Sequence, residues 1–156
     1  MKIIKFEREP EISRWQVSFH EAAHAVLGEV FGLRVKSLRV LSGGDGTAKI
    51  ATATHLSVPD QIALCMVGWV GAELGGYPHP SPDCHEITSD QLSAECLAMC
   101  VLDSEHTDAD EFAIRTMLRE GAQKARELIS KHRTRFDEIA KALLREGELS
   151  SEDTKS

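Results

Sequence analysis

Two histidines four residues apart, with a glutamate after the first, sit in the middle of an apolar segment: His20-Glu21-Ala22-Ala23-His24. On an α-helix, residues i and i+4 lie about one turn apart on the same side, so the two imidazoles can share one metal ion. Left unpartnered in apolar surroundings, both would be costly. Neutral imidazole suits zinc, and Glu21 projects beside the ion, where it can take a proton from a metal-bound water whose pKa is lowered toward about 7. The helix itself is predicted over residues 10–31. Pro10 is tolerated in a first turn, Gly32 is placed to end it, and Ile12, Trp15, Phe19, Ala22, Val26 and Val30 recur on one stripe. That stripe is expected to face a core, while the histidines, roughly 100° or more away around the helix, line a cleft.

The rest of the chain reads as a small sheet and more helices. Residues 33–41 and 47–54 are predicted strands joined by the turn Ser42-Gly43-Gly44-Asp45-Gly46, a hairpin with a glycine-rich bend. Ser57, with Pro59 and Asp60 behind it, caps a helix that carries the apolar run 62–72 and stops at Gly75-Gly76. Residues 77–87 hold Pro78, Pro80 and Pro82 and form a loop, after which Thr88 and Gln91 make a capping box for a helix to about residue 102. Helices over 108–131 and 134–145, apolar at Ile114, Leu118, Ala122, Ala125, Leu128, Ile129, Phe136, Ile139 and Leu143, form a helical hairpin. The expected fold is therefore mainly α (α+β), one domain over residues 1–149 with a small β-hairpin. Residues 150–156 form a polar tail expected to fray. With 156 residues there is no room for a second core, which would need roughly another 100.

Charge and hydropathy exclude some partners. Eighteen Lys and Arg against 25 Asp and Glu give a net charge of -7, which offers no broad footprint for nucleic acid. The longest apolar run, residues 62–72, is about half of the roughly 20 residues that cross a bilayer, so no membrane span is expected. The N-terminal residues show no signal-peptide pattern, so a cytoplasmic location is expected. Cys65, Cys84, Cys96 and Cys100 lack CxxC pairing and suit reduced thiols, with Cys96 and Cys100 expected as small core residues.

Two histidines and a water leave zinc one protein ligand short. Glu73, Asp83, His85, Glu86 and Asp90 are all candidates, and spacing alone does not choose among them. Cys84 and His85 lie in the loop before Asp90, and Tyr77, His79 and His85 are the nearby donors for a developing oxyanion.

Over most of its length the chain resembles the peptidase domain of the FtsH family, membrane-bound AAA zinc proteases. Residues 20–24 match that family's HEAGH motif, and Val35-Lys36-Ser37-Leu38-Arg39-Val40 with Gly46 match its short strand and glycine turn. Gly68-Trp69-Val70-Gly71-Ala72-Glu73-Leu74 looks like its GGRAAEE helix, and Thr88-Ser89-Asp90-Gln91-Leu92 like its segment ending in Asn-Asp and an apolar residue. The terminal helices also follow its pattern. The resemblance implies Asp90 as the third zinc ligand and Glu73 as a neighbour that orients a ligand histidine through its other nitrogen. It implies a zinc metalloendopeptidase acting on peptides or unfolded proteins, with Glu21 as general base. Ala23 and Ser89 depart from the family's Gly and Asn. No GxxxxGK motif for phosphate occurs here, so ATP-driven unfolding is not expected from this polypeptide, and the family's ATPase ring either arrives as a separate chain or is absent. A homo-oligomer is the other expected partner, and an inactive zinc-containing module for peptide binding, regulation or assembly is the alternative function.

Overall fold

The computed structural model describes residues 10–41, 45–77, 89–102 and 108–153. Five helices and three strands follow in the order α1 (Pro10–Val30), β1 (Val35–Val40), β2 (Gly46–Ile50), α2 (Val58–Leu74), α3 (Ser89–Leu102), α4 (Asp108–Lys131), α5 (Arg133–Glu146) and β3 (Glu148–Ser150). The fold is mainly α with one antiparallel sheet, ordered β2-β1-β3.

α1 runs through the centre and touches α2, α4, α5, β1 and β2. Ala22, Ala23, Ala25, Val26 and Leu27 are all buried, so consecutive positions on every side of this helix meet protein. One apolar stripe with a cleft behind it was too simple a division. Trp15, at the head of the expected stripe, is 36% exposed and stacks on Phe19, whereas Ala23 and Ala25, off the stripe, are fully covered. The reason is the crossing of α2. Its glycines at 68, 71 and 75 fall on one face, and a methyl at Gly71 would stand 2.3 Å from the Ala23 methyl and 2.7 Å from the Phe19 carbonyl oxygen. Small residues on both helices let the axes come closer than ordinary side chains permit. The methyl that Ala23 adds is thus accommodated by Gly71.

Phe136 of α5 closes the other side, fully buried with its ring centroid 5.4 Å from that of Phe19. Leu118, Ala122, Ala125 and Ile129 of α4 bury the period-matched face anticipated for it. Ser57 caps α2 as expected, its hydroxyl accepting from the Asp60 N–H at 3.3 Å. β2 ends at Ile50, short of the predicted Thr54, because a turn closed by the Leu56 N–H on the Ala53 carbonyl leads into that cap. Turn residues 42–44, most of the 77–87 loop and Thr88 of the capping box lie outside the described residues.

The tail expected to fray from residue 150 is instead part of the sheet at its start. Gly147, at φ 77°, ends α5 in the left-handed region and turns the chain back, where its carbonyl accepts from the Val40 N–H at 2.9 Å. β3 then pairs with β1, Leu149 is buried, and Asp153 caps the strand's end by accepting from the Ser150 N–H and hydroxyl, both at 2.7 Å. Cys96 and Cys100, expected in the core, are exposed, because α3 buries only Ala94 and Ala98. No helix among the described residues is long and apolar enough to cross a membrane.

Candidate metal centre

His20 and His24 lie on the side of α1 that α2 and α3 cover. α3 delivers Asp90 in its first turn, where a carboxylate also complements the positive end of the helix. The carboxylate oxygen Oδ2 of Asp90 lies 3.3 Å from His20 Nε2 and 3.2 Å from His24 Nε2. One ligand atom from each of the three falls within 4.8 Å of the others, and the imidazole centroids are 5.1 Å apart. Two imidazole nitrogens and a carboxylate oxygen are donors that could hold a metal ion such as zinc.

What lets the two imidazoles come together here is Gly68 of α2. A methyl there would stand 2.3 Å from His20 Nε2 and 2.6 Å from His24 Nε2. Both contacts are far closer than van der Waals packing allows, so only glycine at this position lets the two imidazole rings lie directly against α2. The missing side chain of Gly68 therefore leaves a cradle in which both imidazole rings close on the Asp90 carboxylate, and three donor atoms within 4.8 Å of one another fit one metal ion. The side chains of His20 and Asp90 are 30% and 40% exposed and that of His24 12%, so the cradle opens toward solvent on the side of the first two.

Charge in the cradle follows the same geometry. Burial by itself would raise the Asp90 carboxyl, but the hydrogen bonds and charges of His20 and His24 together hold it well below the usual carboxylate range. Glu21, one residue from His20, is only 6% exposed and meets the start of β2, within electrostatic reach of His20 and Asp90. Burial raises its carboxyl from 4.5 to about 7; the His20 charge pulls it down and the Asp90 charge pushes it up by lesser amounts. A methyl at Gly46, the first residue of β2, would meet Glu21 Oε1 at 2.7 Å and Val17 at 2.5 Å. Only glycine lets the edge of the sheet lie this close over the Glu21 carboxylate.

The fold thus brings together His20, Glu21, His24 and Asp90. Glu73 is not in the group: its carboxylate accepts from the Arg126 guanidinium at 2.7 Å and ties α2 to α4. Asp83, Cys84, His85, Glu86 and His79 lie outside the described residues, and Tyr77 packs half-buried against the core. Cys65 was read in the sequence only as a reduced thiol, with no place near the site. It stands one turn before Gly68 on α2, and burial together with the Asp90 charge pushes its thiol up to about 11. Its i, i+3 relation to Gly68 was the available signal, but that signal has meaning only once Gly68 is known to face the histidines.

No family model matches the chain, and no curated protein matches it.

Proposed function

We propose that the protein is a zinc metallopeptidase, hydrolysing peptide bonds in peptides or unfolded proteins. The observation that carries this reading is the meeting of His20, His24 and Asp90 around the cradle left by Gly68, with a buried carboxylate, Glu21, on the adjoining residue. The resemblance to the FtsH peptidase domain points the same way.

His20, His24 and Asp90 would hold the zinc, which supplies Lewis-acid polarisation of the scissile carbonyl and acidifies water. Glu21 is the proton carrier. Buried on the residue next to His20, its carboxylate would accept a proton from the attacking water and return one to the leaving amine. Gly46 and Val17 confine the Glu21 side chain, so that the carboxylate is held in one place. β2 is an edge strand of the described sheet, and its free side offers backbone groups to an extended substrate. A cytoplasmic location, a homo-oligomer and an ATPase on a separate chain belong to this reading.

The test compares zinc-loaded wild type with Glu21→Gln on an unfolded, fluorescently labelled protein, with metal content measured in both. The expected result is about one zinc in each and loss of cleavage in the variant by about 10²–10⁴-fold, the usual contribution of a general base. Equal cleavage by both refutes the role of Glu21. No cleavage by either, with zinc bound in each, favours a peptide-binding, regulatory or assembly module instead.

A further inference from the structure

Positive charge is concentrated on the sheet of an otherwise acidic protein. Between residues 33 and 50 the sequence holds Arg34, Lys36, Arg39 and Lys49 against Asp45 alone, in a chain of net charge -7. All four cations are exposed. Within the sheet, Arg39 has its counter-charge in register: it lies opposite Glu148 of β3, and the two side chains meet at 2.7 Å.

Lys49 is turned outward on β2, with no further strand beyond it among the described residues. Burial alternates along β2, with Gly46, Ala48 and Ile50 turned toward α1 and Thr47 and Lys49 turned outward. On that outward face Lys49 stands directly opposite Ser37, with Arg39 diagonal to it across Thr47. No acidic side chain faces it from β1. Its other flank is the edge of the sheet formed by the described residues.

We propose that the free edge of β2 takes up an extended polypeptide segment that carries an acidic side chain in register with Lys49. The segment is the substrate if the peptidase reading above holds; the surface itself rests on the sheet alone. A strand added there would place side chains directly opposite Lys49 at about 4.5–5.5 Å on the same face, the separation at which opposite charges pair. β1 and β3 already use such a pair, so the incoming acid repeats toward β2's free side what Glu148 does on the far side. β2 also leads to the candidate metal centre. Gly46 lies against Glu21 and Ile50 against Gly28, so the strand runs along α1 in the same direction. Lys49 is three residues from Gly46, roughly 10 Å along the strand, and its partner on the segment stands within a few residues of the bond above Glu21. A polyphosphate chain has no amides to continue the ladder, which favours a polypeptide over nucleic acid.

The experiment measures binding by fluorescence anisotropy to Glu21→Gln protein, which leaves peptides intact. The probes are labelled peptides of about ten residues rich in Val and Thr, with Glu, Gln or Lys at one outward position scanned along the peptide, and a proline-interrupted copy of the Glu series. At one position Glu is expected to bind up to about five-fold tighter than Gln, and Lys weaker than Gln. Adding Lys49→Glu, an exposed change checked for unaltered circular dichroism, inverts that order, and the proline copies lose binding. Absence of binding by every peptide overturns the proposal, as does equal binding of the three series, a Glu preference that survives Lys49→Glu, or undiminished binding of the proline copies. Cleavage by wild type without charge preference leaves the peptidase reading standing and removes this one; acid-selective binding without cleavage does the reverse.

Discussion

The replacement Gly68→Ala separates metal binding from folding. Its methyl would lie 2.3 Å from His20 Nε2, 2.4 Å from His20 Cε1 and 2.6 Å from His24 Nε2, all ring atoms at the far ends of side chains that can rotate aside in the metal-free protein. The fold therefore survives, and removing an interior helical glycine offsets part of the cost by about 0.5–1 kcal/mol. A methyl that pushes both rings aside, however, takes their nitrogens out of the positions from which they share one ion with Asp90. For wild type, zinc at a hundred times its Kd stabilises by about 2.7 kcal/mol, which for a chain of this size raises Tm by roughly 5–11 °C. Gly68→Ala is expected to show no such rise, to retain less than a tenth of the wild-type zinc after gel filtration, and to keep the wild-type helical circular dichroism. One equivalent of zinc bound with wild-type affinity refutes the cradle and the ligand assignment built on it.

Gly71→Ala makes the contrasting case, since its methyl meets the Ala23 methyl and a backbone oxygen that cannot move; a loss of about 1–3 kcal/mol in urea denaturation, with zinc binding retained by the folded fraction, is expected. Glu21 gives a pH-dependent difference in the metal-free protein. Its folded carboxyl titrates near 7 and its unfolded one near 4.5, so the folded state holds a proton that the unfolded chain releases between those values, and the group subtracts stability as pH rises through that window. Wild type should fall behind Glu21→Gln by up to about 3 kcal/mol between pH 4.5 and 8 with chelator present, whereas a constant difference contradicts the burial argument. Leu149→Ala removes the buried side chain of β3 and is expected to cost about 2 kcal/mol or more in denaturant, against near neutrality if the strand does not pack.

The helices were legible because their periodicity is local. α4 follows the bounds its pattern predicts, and α2 begins at the serine that caps it. β3 was not legible: one apolar residue, Leu149, between Glu148 and Ser150 carries no period, and the strand exists only because β1 has an unpaired side to offer. α3 misled in another way. Its apolar residues spread all round the helix, so nothing in the sequence told that two alanines would be buried while Leu92, Cys96 and Cys100 faced outward. Of the candidate site, the two histidines and Glu21 stood out in the sequence at fixed helical spacing. Asp90 is 66 residues from His24, a distance over which no local pattern decides, and the choice came from resemblance. The glycines that make the cradle were visible as letters, but what each makes room for depends on a helix packed from elsewhere in the chain.

The pairing of β1 with β3 joins Arg39 to Glu148 across 109 residues of sequence. On a ribosome, α1 and the β1–β2 hairpin emerge together, and β1 then waits for a strand not yet made. At about 5–20 residues per second, that wait is roughly 5–20 s. During it the inner strand of the sheet has an open edge, next to a helix already carrying both histidines, and any other extended chain in the tunnel's vicinity can occupy it. Synthesis of residues 148–150 ends that exposure.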